Sequence, residues 1–176
     1  MKAPGGTAKK NESPMRTLIL MLTAMALVSC TAQPLNRHAQ FNQEEYTSYG
    51  GFGTGIIYGE AFLTTRGGDV KKAAAGNKVF LNPVTTYSTE WFERQIIGGQ
   101  LLREPDPRAF RYHHETVTDS DGRFKFENLT LGDYYLACAT SWEAPDGYGH
   151  TSVMGGWAYA KVRLKAGEHK KVVLTR

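Results

Sequence analysis

The sequence predicts an all-β fold: seven strands, paired antiparallel in two sheets and packed as a sandwich. Three observations carry that expectation. From residue 55 onward no stretch of a dozen residues keeps a helical hydrophobic period. Short β-branched and aromatic runs recur instead, separated by Gly, Asp and Pro, as in a two-sheet sandwich. Segment 55–176, roughly 120 residues, has the size of one domain.

The strands can be justified in order. "GIIYGEAFLTT" (55–65) is rich in β-branched and aromatic residues, and "NKVFLNPV" (77–84) is closed by Pro83. Residues 110–119, "FRYHHETVTD", alternate moderately. "GRFKFENL" (122–129) alternates cleanly, with Phe124, Phe126 and Leu129 against Arg123, Lys125 and Glu127. "DYYLACATSW" (133–142) is strongly apolar and contains Cys138, whose alternation with Tyr134 and Leu136 predicts a buried, inert thiol. "GGWAYAKVRLKAG" (155–167) alternates through Ala158, Ala160, Val162 and Leu164, and "HKKVVLTR" (169–176) closes the chain.

One long connection, 85–109, interrupts the pattern, and long connections are often functional. Within it "STEWFERQII" is a candidate short helix. Ser88 would be its N-cap, Glu90 would lie in the first turn, Phe92 and Ile96 would share a face, and Gly98-Gly99 would end it.

"TDSDGRF" admits two readings, a calcium loop or a turn. A calcium loop starting at Asp119 has Asp121 at its third position but Arg123 at its fifth and Thr130 at its twelfth, where oxygen ligands belong. Asp-Gly between two alternating runs instead predicts a hairpin, with Asp119 bracing the turn, Asp121 and Gly122 forming it, and no metal bound.

The same stretch carries a resemblance. Thr118, Asp119, Asp121, Gly122, Phe124 and Phe126, followed by Leu129, Gly132, Tyr134 and Leu136, resemble the T-x-D-x-D-G-x-F-x-F and L-x-x-G-x-Y-x-L signature of the carboxypeptidase regulatory-like domain. That resemblance implies a transthyretin-like sandwich over 55–176 interrupted by the long insertion. Gly132 suits an entry turn with an unusual φ, with the Tyr134 ring beneath it.

The N-terminal end has a different character. Arg16 precedes a short apolar run ending in Leu27-Val28-Ser29-Cys30, which resembles the bacterial lipobox. The resemblance implies a signal peptide over 1–29, a lipid on the Cys30 thiol and a membrane partner. Thr31 after the cysteine implies the outer membrane, on its periplasmic face. Met15 makes a better translation start than Met1. Residues 30–54, polar and without apolar periodicity, read as a flexible tether. Of the net charge of +4, Lys2, Lys9, Lys10 and Arg16 against Glu12 supply three, so the basic balance belongs to the signal and argues against nucleic acid.

Catalytic signatures are missing. None of His38, His113, His114, His150 and His169 begins an H-x-x-E or H-E-x-x-H motif, and G-x-S-x-G does not occur. Intradiol dioxygenases use a similar sandwich and hairpin, but their downstream H-x-H pair has no counterpart, leaving iron chemistry a minor alternative. His113 and His114 are adjacent in a presumed strand and would face opposite sides. No cofactor is implied. Trp91, Trp142 and Trp157, with Tyr87 and Tyr148, lie in or beside the long insertion and a second expected loop, "SWEAPDGYGHTSVMGGW" (141–157), and aromatic faces beside polar groups suit sugar rings. The expectation is a non-catalytic, lipid-anchored envelope protein that supports or binds, its partner an envelope protein or a glycan. A glycan-binding lipoprotein using these aromatics is the alternative.

Overall fold

A computed structural model describes residues 33–147 and 149–176. Its strands are β1 (Gly55–Thr64), β2 (Val70–Lys72), β3 (Lys78–Pro83), β4 (His114–Val117), β5 (Arg123–Leu129), β6 (Gly132–Pro145), β7 (Thr151–Leu164) and β8 (His169–Leu174). They form two sheets of an all-β sandwich. In the first, β1 is flanked by β5 and β8, with β2 pairing along its C-terminal end; in the second the order is β4-β3-β6-β7.

Seven of these strands coincide with the expected segments, and the short β2 is an eighth. The pairing is not wholly antiparallel. β8 runs parallel to β1, from Ile56 opposite His169 to Ala61 opposite Leu174. The chain crosses from β7 to the other sheet before β8, and this crossover sets the direction of the pair. The contact is close at Gly59, where a Cβ would meet the Val172 carbonyl oxygen at 1.7 Å.

The interior lies between the sheets. Ile57, Leu81, Leu136, Cys138, Ala158 and Leu174 are fully buried there, and Phe124, Phe126 and Tyr134 are nearly so. Alternation in β1, β3, β5, β6, β7 and β8 supplies these side chains. Cys138 is enclosed, and burial pushes its thiol up to about 11.

The Asp-Gly segment forms a turn but not a hairpin. β4 pairs with β3 in one sheet, while β5 pairs with β1 in the other. Asp119 holds the turn: its Oδ1 accepts from the Asp121 and Arg123 amides at 2.8 and 2.9 Å, and Gly122 takes φ 76°. Two alternating strands joined by such a turn can pair with each other or contribute to opposite layers. Here the burial of Phe124, Phe126 and Leu129 draws β5 to the opposite layer.

The presumed tether is also corrected. Residues 34–54 belong to the same compact unit as the sandwich, although their pattern has no apolar period. Three aromatic rings hold them. Phe41 stacks on Tyr46 at 4.9 Å in and beside helix α1 (Gln43–Tyr46), Tyr46 packs on Tyr112 at 4.7 Å, and Tyr49 meets Tyr134 edge-on at 5.4 Å. The Tyr49 hydroxyl bonds the Asp133 backbone at both its N–H and its C=O. Gly132 takes φ 153° beneath that ring, where a Cβ would lie 2.5 Å from it. Aromatic anchors at isolated positions leave no periodic trace in a sequence.

Gly59→Ala is expected to destabilise the domain by about 3 kcal/mol through forced separation of β1 and β8, whereas Gly67→Ala, whose Cβ would make only an ordinary contact with Thr65 Oγ1 at 3.8 Å, stays within about 0.5 kcal/mol of the parent. Urea unfolding midpoints of the two variants check this. Equal midpoints would show that the parallel pair does not constrain the sheet.

Candidate functional site

β6 is buried on both faces over Tyr134–Cys138. Tyr134, Leu136 and Cys138 point into the sandwich, so Tyr135 and Ala137 face outward beneath the long insertion. The insertion opens with helix α2 (Thr86–Glu90) and continues as a π-helical turn, Trp91–Ile97. Its N-cap is Thr85 rather than Ser88. Thr85 Oγ1 accepts from the Ser88 amide at 3.1 Å and Ser88 Oγ accepts from the Thr85 amide at 2.9 Å, closing a capping box three residues earlier than predicted. Phe92 and Ile96 are the face that covers the sheet. Phe92 stacks on Tyr135 at 4.1 Å and meets Tyr159 edge-on at 5.4 Å. A 3-10 helix, Pro107–Tyr112, then leads into β4, replacing the first half of the strand expected over 110–119.

The N-terminal segment binds this cover from outside. Leu35 makes a two-bond parallel bridge to 101–103, with the Leu35 amide donating to Leu101 and its carbonyl accepting from Arg103. The Glu90 carboxylate accepts from the amides of His38 and Ala39 at 2.8 and 3.1 Å. Thr85 Oγ1 donates to the Tyr46 hydroxyl at 2.9 Å.

Between cover and sheet a cleft of about 360 Å³ remains. Phe80 and Asn82 line it from β3, His113 from the residue just before β4, Trp157 from β7, Trp91 and Gln95 from the helical segment, and Arg37 from the N-terminal segment. Trp157 and His113 lie on either side of Phe80, with ring centroids 6.1 and 5.5 Å from it. His113 Nδ1 is 3.0 Å from Asn82 Oδ1, which places a polar pair beside the aromatic wall. The volume and this apolar lining with few polar groups are those of small-molecule sites, which span roughly 300–1,000 Å³.

The expected aromatic residues therefore divide. Trp91 and Trp157 are half-buried on the cleft wall. Tyr87 also borders it but is buried, its hydroxyl accepting from the Asp106 amide at 2.6 Å and its ring backing Arg37. Trp142 is elsewhere: it alternates with Cys138 and Thr140 and packs against the interior. The segment around it is no loop, since β6 and β7 pair continuously to Pro145 and Thr151. Tyr148, like Leu27, Val28, Ser29 and Cys30, lies outside the described residues. Among the described residues no three His, Cys, Asp or Glu side chains are placed to share a metal ion. Arg37, Phe80, Asn82 and His113 were not singled out as ligand contacts by the sequence. Only the outward phase of 78–83 could have marked Phe80 and Asn82.

Among solved structures, a Pseudomonas aeruginosa protein provisionally described as carbohydrate binding matches at 30% identity and a TM-score of 0.69, over 78% of this chain and 99% of its own. This chain belongs to the family of that protein. The major pilin subunit of Bacillus cereus matches at 16% identity and a TM-score of 0.38, over 70% of this chain and 29% of its own. The minor pilin GBS52 of Streptococcus agalactiae matches at 20% and 0.37, over 70% and 44%. No family model and no curated protein matches the chain. The family relation spans nearly the whole Pseudomonas protein.

Burial, foremost, holds both His113 and His114 below the ordinary histidine value of 6.5, with Glu115 opposing it at His113. The unfolded chain then takes up protons at a higher pH than the folded one. Stability is lost as pH falls through 6.5 toward the folded values, and the loss is complete below them. Unfolding free energy in urea is expected to fall between pH ~7 and ~5, less steeply in His114→Gln. A flat profile in the parent would contradict this.

Proposed function

We propose that this chain is a non-catalytic, lipid-anchored envelope protein whose sandwich binds carbohydrate in the cleft above its second sheet. The cleft is the observation that carries the ligand class. Trp157, Phe80 and Trp91 offer flat apolar faces to the C–H face of a sugar ring, while Asn82, His113 and Gln95 offer fixed polar atoms to its hydroxyls. The family supports the reading, since the Pseudomonas relative is itself provisionally described as carbohydrate binding. The carboxypeptidase regulatory-like signature of 118–136 fits a sandwich that acts as a binding module and leaves chemistry to other domains.

The anchor rests on the lipobox at Leu27, Val28, Ser29 and Cys30. It tethers the domain to the outer membrane at its periplasmic face. A glycan of the envelope is then within reach of the cleft.

Tryptophan fluorescence titrated with peptidoglycan fragments and envelope glycans tests the ligand. A saturable shift is expected, weakened about tenfold or more by Trp157→Ala or Trp91→Ala and left within about twofold by Trp142→Ala. Absence of a shift with every glycan, or equal sensitivity to Trp142→Ala, would overturn the cleft as a sugar site. For the anchor, bacteria grown with labelled palmitate should incorporate label into the parent chain and none into Cys30→Ala. Equal labelling of both would refute lipidation at Cys30.

A further inference from the structure

The cleft contains a cation that the protein itself does not neutralise. The Arg37 guanidinium is held in place on two sides: its Cζ lies 4.8 Å over the Tyr87 ring, and its Nε donates to the Arg103 carbonyl at 3.2 Å. Nη1 is fully buried and has no protein acceptor. A buried donor without a partner costs about 1–3 kcal/mol, and more when it is charged. Evolved interiors therefore rarely keep one, unless a water, ligand or ion supplies the acceptor.

The neighbouring carboxylates are committed elsewhere. Glu90 accepts from the His38 and Ala39 amides and lies 3.5 Å from Arg94. Asp106 is gripped by Arg108 at 2.7 Å, and Glu115 by Lys78 at 2.8 Å. Neither Arg37 nor Arg103 enters an ion pair among the described residues, and Glu104 is the one acidic residue on the cleft wall. Two guanidinium groups against one carboxylate leave the cleft with a positive balance, beside an aromatic wall sized for a sugar ring.

We propose that the cleft selects acidic glycans, in which a carboxylate on the sugar pairs with the positive charge that Arg37 and Arg103 bring to the cleft wall. The inference rests on the carbohydrate reading of the same cleft and narrows it. The planar fork of a guanidinium suits a carboxylate, which accepts two parallel N–H bonds. Tyr87 is a positioning residue here, since its ring fixes the plane of Arg37 and is itself buried.

The test uses the full chain and matched pairs of oligosaccharides: three different oligouronates, each beside its carboxyl-reduced neutral counterpart with the same rings and linkages. Calorimetric titration at low and high salt is expected to show at least one uronate bound tenfold or more tighter than its neutral partner, the ratio shrinking as salt rises. Arg103→Gln and Arg37→Gln should bring the ratio toward one, while Trp157→Ala should weaken acidic and neutral forms alike. Arg103→Gln keeps the test decisive where Arg37→Gln impairs folding. Equal affinity within every pair would overturn the acid preference and leave sugar binding standing. No binding by any member, together with no response to the envelope glycans, would overturn both.

Discussion

β6 has no polar face over its central residues, and much of the structure answers to that. Tyr134, Leu136 and Cys138 fill the sandwich interior, while Tyr135 and Ala137 between them are equally buried on the other side. A two-layer sandwich covers one face of each sheet. The outer face of this one therefore needs a third layer, and Phe92 and Ile96 of the insertion supply it. Removing such side chains from water is the main favourable term in folding, at about 25 cal/mol per Å² of apolar surface.

That third layer is too small to support itself. α2 and its π-helical continuation are short, and short helices are stable only through packing. The N-terminal segment braces them, through the Leu35 bridge, the Glu90 contacts and the cluster of Phe41, Tyr46 and Tyr112. The cleft is the space that this arrangement leaves between cover and sheet. Its walls come from four separated parts of the chain, so its geometry depends on the whole domain being folded. No residue of the sandwich interior lines the cleft: its floor is the outward side chains of β3 and β7, and its other walls are the elements added on that outer face.

The relation to the Pseudomonas protein covers almost all of that protein and 78% of this chain. Fold alone carries little about activity, because one sandwich hosts many functions. What narrows the choice here is the local chemistry: half-buried indoles, an Asn–His pair and an arginine fixed on a tyrosine ring.

Seven strands, the inward phase of Phe124, Phe126 and Leu129, the burial of Cys138 and the Asp119 turn could all be read from the amino-acid order. Each depends on contacts or conformations set by near neighbours in the chain, through a period of two or an Asx-type turn. The same local information could not say whether the strands flanking Asp119 pair with each other, because an Asp-Gly turn permits either outcome. Nor could it show that 34–54 is folded, since three aromatic anchors in a polar segment have no period and find their partners far along the chain. Trp142 and Trp157 look alike in sequence and are separated by alternation in paired strands: one faces the interior and the other the cleft. Strand identity was thus decided by the sequence itself. Sheet membership, the bracing N-terminal segment and the assembly of Arg37, Phe80, His113 and Trp157 around one cleft were decided by tertiary structure, because only long-range packing brings those residues together.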